Sequence, residues 1–76
     1  MSPTMMRQFW AFVDEIRSTI PLALDDLSLV QWLLRQVWSE QLLDRQQQDI
    51  LSNYIHLRIA LIRDMAQESQ FFSHVY

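Results

Sequence analysis

Apolar side chains recur at spacings of three and four residues in three stretches of the chain, a pattern that predicts helices. The first stretch opens with Ser2 and Pro3, a hydroxyl N-cap followed by a residue suited to the first helical turn. It closes before Pro21, because a proline disfavours helical geometry in the residue before it. We therefore expect a first helix at residues 3–19, with an apolar face of Met5, Met6, Phe9, Trp10, Phe12, Val13, Ile16 and Ile20.

The second stretch follows a short apolar connector, and Asp25 or Asp26 is suited to cap it. We expect this helix at residues 27–39. Its buried stripe is predicted to be Leu27, Val30, Leu33, Leu34, Val37 and Trp38. Trp32 falls outside that stripe, on a mainly polar flank that it shares with Arg35.

The third stretch is the longest, and we expect a helix at residues 45–70. Asp44 and Gln47 have the spacing of a capping box at its start. Neither glycine nor proline separates it from the second helix, so one long fused helix is the alternative. Residues 70–76 form an aromatic tail at its end. The fold class is all-α, a single helical domain over residues 1–76.

The apolar positions of the third helix cover about half of its circumference, wider than the roughly 100° stripe of a simple surface helix. One neighbouring helix does not cover so wide an arc. A chain of 76 residues is also close to the lower limit for independent folding, and a second subunit enlarges the core. We therefore expect a helical bundle shared by a homodimer, with a monomeric three-helix bundle as the alternative.

Arg58 falls near the middle of this arc, among apolar residues that include Ile55, Ile59 and Ile62. A buried guanidinium needs a partner, because an unpaired buried charge costs several kcal/mol. The expected role of this set is to fix helix register or dimer geometry, with Asp14, Glu15, Asp26 and Glu40 as candidate partners for the arginine. The alternative is an arginine that reaches solvent from the edge of a narrower core.

Two further regions are candidates for binding another protein. Trp32 and Arg35 lie one turn apart, and both residue types are enriched in binding hot spots. The tail carries Phe71, Phe72 and Tyr76, and exposed aromatic side chains at a chain end favour a covering partner. For both regions the alternative is packing against the protein's own bundle.

Composition excludes several kinds of chemistry. Without glycine the chain lacks the usual residue of phosphate loops and nucleophile elbows, and without cysteine it has no disulfide. The two histidines lie eighteen residues apart with no ligand cluster, so neither a metal nor a cofactor is expected. We expect no enzymatic activity.

Charge and hydropathy bear on partners and location. The net charge is −3 and the six arginines are dispersed, which argues against nucleic-acid binding. No apolar run is long enough for a membrane span, and the N-terminus does not have the pattern of a secretory signal. We therefore expect a cytoplasmic location.

One family resemblance covers about half of the chain. Leu27-Ser-Leu29 at a helix start, and a long helix with Tyr54 and Ile62-Arg63-Asp64, resemble the small helical adaptors that promote phycobilisome degradation in cyanobacteria. Residues 3–19 have no counterpart there, so no function is transferred.

The sequence as a whole favours a small, non-enzymatic, self-associating interaction module, regulatory or adaptor in role, with a protein partner whose identity is not encoded in any motif. One alternative is a small helix-turn-helix transcriptional regulator built from the second and third helices. Another is an obligate structural subunit of a larger complex.

Overall fold

Three α-helices follow one another in the computed structural model, which describes residues 2–40 and 43–73. Helix α1 spans Pro3–Ile16 and continues into a 3-10 turn at Arg17–Thr19. Helix α2 spans Asp26–Glu40, and α3 spans Arg45–Ser73. The all-helical class is confirmed, and the boundaries lie within three residues of those expected from the sequence. The fused-helix alternative is wrong, because Leu43 and Asp44 are not helical.

Local capping explains where each helix begins. The Ser2 hydroxyl accepts a hydrogen bond from the Met5 amide at 3.2 Å, and Pro3 occupies the first turn. At the start of α3, the Asp44 carboxylate accepts from the Gln47 amide at 2.7 Å. The Gln47 side chain accepts in return from the Asp44 amide at 3.1 Å. These reciprocal bonds are the capping box that the sequence predicts.

Asp25, and not Asp26, caps α2. Its carboxylate accepts a hydrogen bond from the Ser28 amide at 2.8 Å. Hydrogen bonds from the Ser28 hydroxyl and the Ser28 amide lower the pKa of the Asp25 carboxyl group below 3.8. Asp26 is thereby left as the first residue of α2, where it contacts α3.

The core lies along one side of α3 and is covered by the other two helices. Its fully or almost fully buried members from α3 are Leu51, Ile55, Ile59, Ile62 and Ala66. They pack with Phe9 and Val13 of α1, with Ile20, and with Leu29, Val30, Leu33 and Val37 of α2. We call the five residues of α3 its inner face.

The helix directions follow from two groups of contacts. The start of α1, the end of α2 and the start of α3 line a common recess. At the other end, the segments next to Ile20 and Asp26 contact Gln70 and Arg63 of α3. Helix α1 therefore runs in the same direction as α3, and α2 runs in the opposite direction.

The predicted buried stripe of α2 is wrong at two residues, which the structure exposes. Leu27 is 58% exposed and Trp38 is 44% exposed, whereas Leu29 is completely buried. The physical reason is the orientation of α2 about its own axis. Leu29, Leu33 and Val37 lie one turn apart on α2, and together they face α3. The outward side of α2 is consequently more apolar than the sequence pattern indicated.

Candidate interaction surfaces

A second apolar stripe runs along α3, away from its inner face. Ile50, Tyr54, Leu57 and Leu61 are separated by four, three and four residues, the spacing of heptad seam positions. Leu57 is 75% exposed, Leu61 is 50% exposed and Ile50 is 39% exposed. We call these four residues the outer stripe. The outer stripe spans residues 50–61 of a helix that runs from Arg45 to Ser73, so the C-terminal part of α3 lies beyond it.

Acidic side chains continue the same seam toward the C-terminus. Asp64 and Glu68 occupy the next two seam positions, and both are exposed. Phe71 takes the position after them and is 67% exposed. The seam is therefore apolar in its first half and negatively charged in its second half.

Tyr54 marks the border between the inner face and the outer stripe. Its hydroxyl accepts a hydrogen bond from the Trp10 indole N–H at 2.8 Å. Its ring packs edge-on against Phe9 and Trp10, at centroid distances of 6.0 and 6.1 Å. Tyr54 is therefore at the lateral edge of the surface of α3 that α1 covers. Leu57 and Leu61 lie beyond that edge and are exposed.

Arg58 is not the buried arginine that the sequence suggested. Its side chain is exposed, and its guanidinium carbon lies 5.6 Å from the centre of the Tyr54 ring. Two of its candidate partners are engaged elsewhere: Asp14 pairs with Arg17 at 3.2 Å, and Asp26 pairs with Arg63. Arg58 is at the edge of a core that is narrower than the half-circumference arc.

Arg63 performs the anchoring role instead, and sequence reasoning missed it. Its Nε donates to the Asp26 carboxylate at 2.9 Å, and its two terminal nitrogens donate to the carbonyl oxygens of Leu22 and Leu24 at 3.1 and 2.5 Å. Gln70 adds a hydrogen bond to the Ile20 carbonyl oxygen at 2.8 Å. These bonds join α3 to the connector between α1 and α2. No local sequence pattern predicts these bonds, because their acceptors lie 37 to 50 residues away along the chain and three of them are backbone carbonyl oxygens.

The remaining predicted site residues are scattered. Ile55, Ile59 and Ile62 belong to the inner face, where α1 and α2 cover them. Trp32 is half-buried and packs against the same core, and Arg35 is exposed. The side chain of Phe72 and all of Tyr76 lie outside the described residues. Among the predicted partner-binding residues, the structure therefore describes the side chains of Trp32, Arg35 and Phe71 alone.

A recess of about 160 Å³ opens where the start of α1 meets the end of α2 and the start of α3. Its walls are mainly apolar, and Gln8 and Glu40 are the polar side chains among them. Glu40 is the one titratable side chain among the described lining residues. The recess lining is Met5, Gln8, Phe9, Phe12, Val37, Glu40, Leu43 and Leu51.

Residues 2–40 and 43–73 contain neither a metal-binding cluster nor a membrane-spanning helix. No group of three or more acidic, histidine or cysteine side chains is placed to hold a metal ion. None of the helices in this part of the chain combines the length and the apolar character needed to cross a membrane. Comparison of the chain with protein-family models, with curated proteins and with solved structures gave no match.

Proposed function

We propose that this protein is a non-enzymatic helical interaction module that associates with a second copy of itself through the outer stripe of α3. The observation that carries the proposal is the exposure of Leu57, Leu61 and Ile50 along one seam. Soluble proteins seldom leave a contiguous apolar surface uncovered unless it is used for binding. A homodimer allows the same stripe to serve as both halves of the contact.

The size of the stripe sets the expected strength of this association. The exposed fractions of the three aliphatic residues amount to roughly one and a half side chains per copy. Burying about three side chains per pair contributes about 5–9 kcal/mol. Association itself costs about 4–15 kcal/mol in lost motion, so the gain and the cost are of similar size. We therefore expect a weak dimer whose population depends on protein concentration.

The test is sedimentation velocity over a wide concentration range for the wild type and two matched variants. Leu57→Glu places a charge in the outer stripe, and Leu27→Glu places the same charge at another exposed leucine, on α2. We expect the wild type and Leu27→Glu to associate as concentration rises and Leu57→Glu to stay monomeric. Circular dichroism checks that both variants remain helical. A wild type that is monomeric at every concentration would contradict the proposal.

The adaptor role needs a second surface, for which α2 offers the best candidate. Leu27 and Trp38 are exposed on the outward side of α2, and Arg35 lies near them on that side. We propose this side as the contact for a protein partner, in place of the half-buried Trp32. Affinity capture with Trp38→Ala, and with Glu15→Ala on α1 as the control, tests it. Loss of the same partner from both variants would count against the surface.

The proposed location is the cytoplasm, which cell fractionation tests directly.

The purified protein also distinguishes the two alternative functions. Retardation of DNA fragments at physiological salt would support a helix-turn-helix regulator. A molten or insoluble product from expression of the chain alone would support an obligate subunit of a larger complex.

A further inference from the structure

The charge pattern of the α3 seam determines how two copies pair. We propose that the two α3 helices of the dimer lie antiparallel, with Ile50 opposite Leu61 of the second copy and Tyr54 opposite Leu57 of the second copy. This inference rests on the proposed self-association and adds its orientation and register. Both follow from the apolar first half and the acidic second half of the seam.

In a parallel arrangement, every seam residue lies opposite the same residue of the second copy. Asp64 would then face Asp64 of the second copy, and Glu68 would face its own copy one turn later. Like charges in direct opposition within a contact are strongly unfavourable. The parallel pair therefore gains its apolar contacts only together with two repulsive layers.

The antiparallel arrangement separates the acidic halves to opposite ends of the dimer. In the register given above, all four residues of the outer stripe meet a residue of the outer stripe, in four consecutive layers. The next layer on either side joins Asp64 to Gln47 of the second copy. Gln47 is uncharged and half-buried, and its side chain is already part of the capping box. Asp64 thus meets no like charge.

The register also matches the geometry of the helix ends. Helix α3 begins at Arg45, so the layer that contains Gln47 is the last full layer available at the N-terminal end. Glu68 and Phe71 of one copy extend beyond the end of the partner helix. A single two-fold axis, perpendicular to the helices and close to residues 55 and 56, generates the whole contact.

Introduced cysteines read out the orientation, because the chain has none of its own. Ile50→Cys and Leu61→Cys are purified separately, then oxidised alone and as a mixture. In the antiparallel register the mixed pair is adjacent, whereas two copies of either variant have their sulfurs about 16 Å apart. Disulfides require Cα distances of about 4.4–6.8 Å. We expect the mixture to form a disulfide-linked dimer and each variant alone to remain unlinked.

The possible results separate this inference from the proposed function. Rapid linkage within Ile50→Cys alone and within Leu61→Cys alone would overturn the antiparallel orientation and leave self-association intact. If sedimentation shows a dimer and no combination is linked, the register is overturned. A protein that is monomeric in sedimentation overturns the proposed function and this inference together.

A charge exchange provides a test without cysteine. Gln47→Glu keeps a capping-box residue at the start of α3 and places a carboxylate against Asp64 of the second copy. We expect it to weaken the dimer, and we expect adding Asp64→Lys to restore association about threefold or more, because two opposite-charge pairs form. In a parallel dimer the double variant would instead oppose Glu to Glu and Lys to Lys. In that parallel dimer Gln47→Glu alone already opposes Glu to Glu and Asp to Asp, so adding Asp64→Lys would give no gain in association. A double variant that associates no more strongly than Gln47→Glu would therefore contradict the antiparallel arrangement.

Discussion

The two faces of α3 are similar in composition and different in what covers them. The inner face consists of Leu51, Ile55, Ile59, Ile62 and Ala66, all of which are buried by the other two helices. The outer stripe is also made of large apolar residues, and Leu57 and Leu61 are at least half exposed. The difference shows that the apolar arc of α3 has two parts. Only the first part is used to fold the chain.

The largest expected effect tests this division directly. Ile55→Ala removes a completely buried side chain from the inner face, and we expect the free energy of unfolding to fall by about 2–5 kcal/mol. Leu57→Ala removes a similar volume from the outer stripe, and we expect a change within about 0.5 kcal/mol. Urea denaturation at low protein concentration, where the proposed dimer would be dissociated, measures both. Equal losses would mean that the chain itself covers Leu57.

A smaller contrast concerns the two arginines next to these faces. Arg63→Met removes three hydrogen bonds that hold α3 to the connector and to α2, and we expect a loss of about 1–3 kcal/mol. Arg58→Met removes an exposed contact with the Tyr54 ring, and we expect a loss of at most about 1 kcal/mol. The same urea titration compares the pair. A larger loss for Arg58→Met would restore Arg58 as the anchor.

These two arginines show what the sequence can and cannot specify. Helix limits are encoded locally, so Ser2 with Pro3, and Asp44 with Gln47, were sufficient to locate the starts of α1 and α3. The role of Arg63 depends on carbonyl groups of the connector, which a residue pattern does not reveal. Periodicity likewise gives the width of an apolar arc, and the arrangement of the neighbouring helices decides which part is covered.

Helix α2 provides the same lesson on a smaller scale. Leu27 and Leu29 are both plausible core residues by type, and they are separated by about 160° around the helix. The structure buries Leu29 and exposes Leu27 because the stripe through Leu33 and Val37 faces α3. A wheel drawn from the sequence contains both residues and no information about the direction of α3. The candidate surface on α2 was hidden for that reason.

A smaller effect on stability is expected at Tyr54, which lies at the border between the two faces of α3. We expect the hydrogen bond from Trp10 to the Tyr54 hydroxyl to contribute about 0.5–1.5 kcal/mol to folding. A double-mutant cycle with Tyr54→Phe and Trp10→Phe isolates that coupling, and Tyr54→Phe keeps the ring that Phe9 and Arg58 contact. If the stability losses of the two single variants were additive, the hydrogen bond between α1 and α3 would not be formed in solution.

The smallest expected effect is a pH dependence of stability, which distinguishes the contribution of apolar burial from that of a charged helix cap. Burial of the inner face involves no titratable group, so the stability difference between Ile55→Ala and Leu57→Ala should remain constant as pH falls from 7 to 3. The Asp25 cap of α2 behaves differently, because hydrogen bonds from Ser28 lower the pKa of its carboxyl group in the folded chain.

A folded-state pKa below the unfolded value of 3.8 means that the charged cap contributes fully above pH 3.8. Its contribution then declines as pH falls through the lower, folded-state pKa. Asp25→Ala should therefore reduce the melting temperature at pH 7, and the reduction should shrink below pH 3.8. Calorimetry of the wild type and the variant at matched pH measures the difference. A reduction that stays constant down to about pH 2 would mean that the cap acts through a hydrogen bond that is insensitive to the charge on the carboxylate.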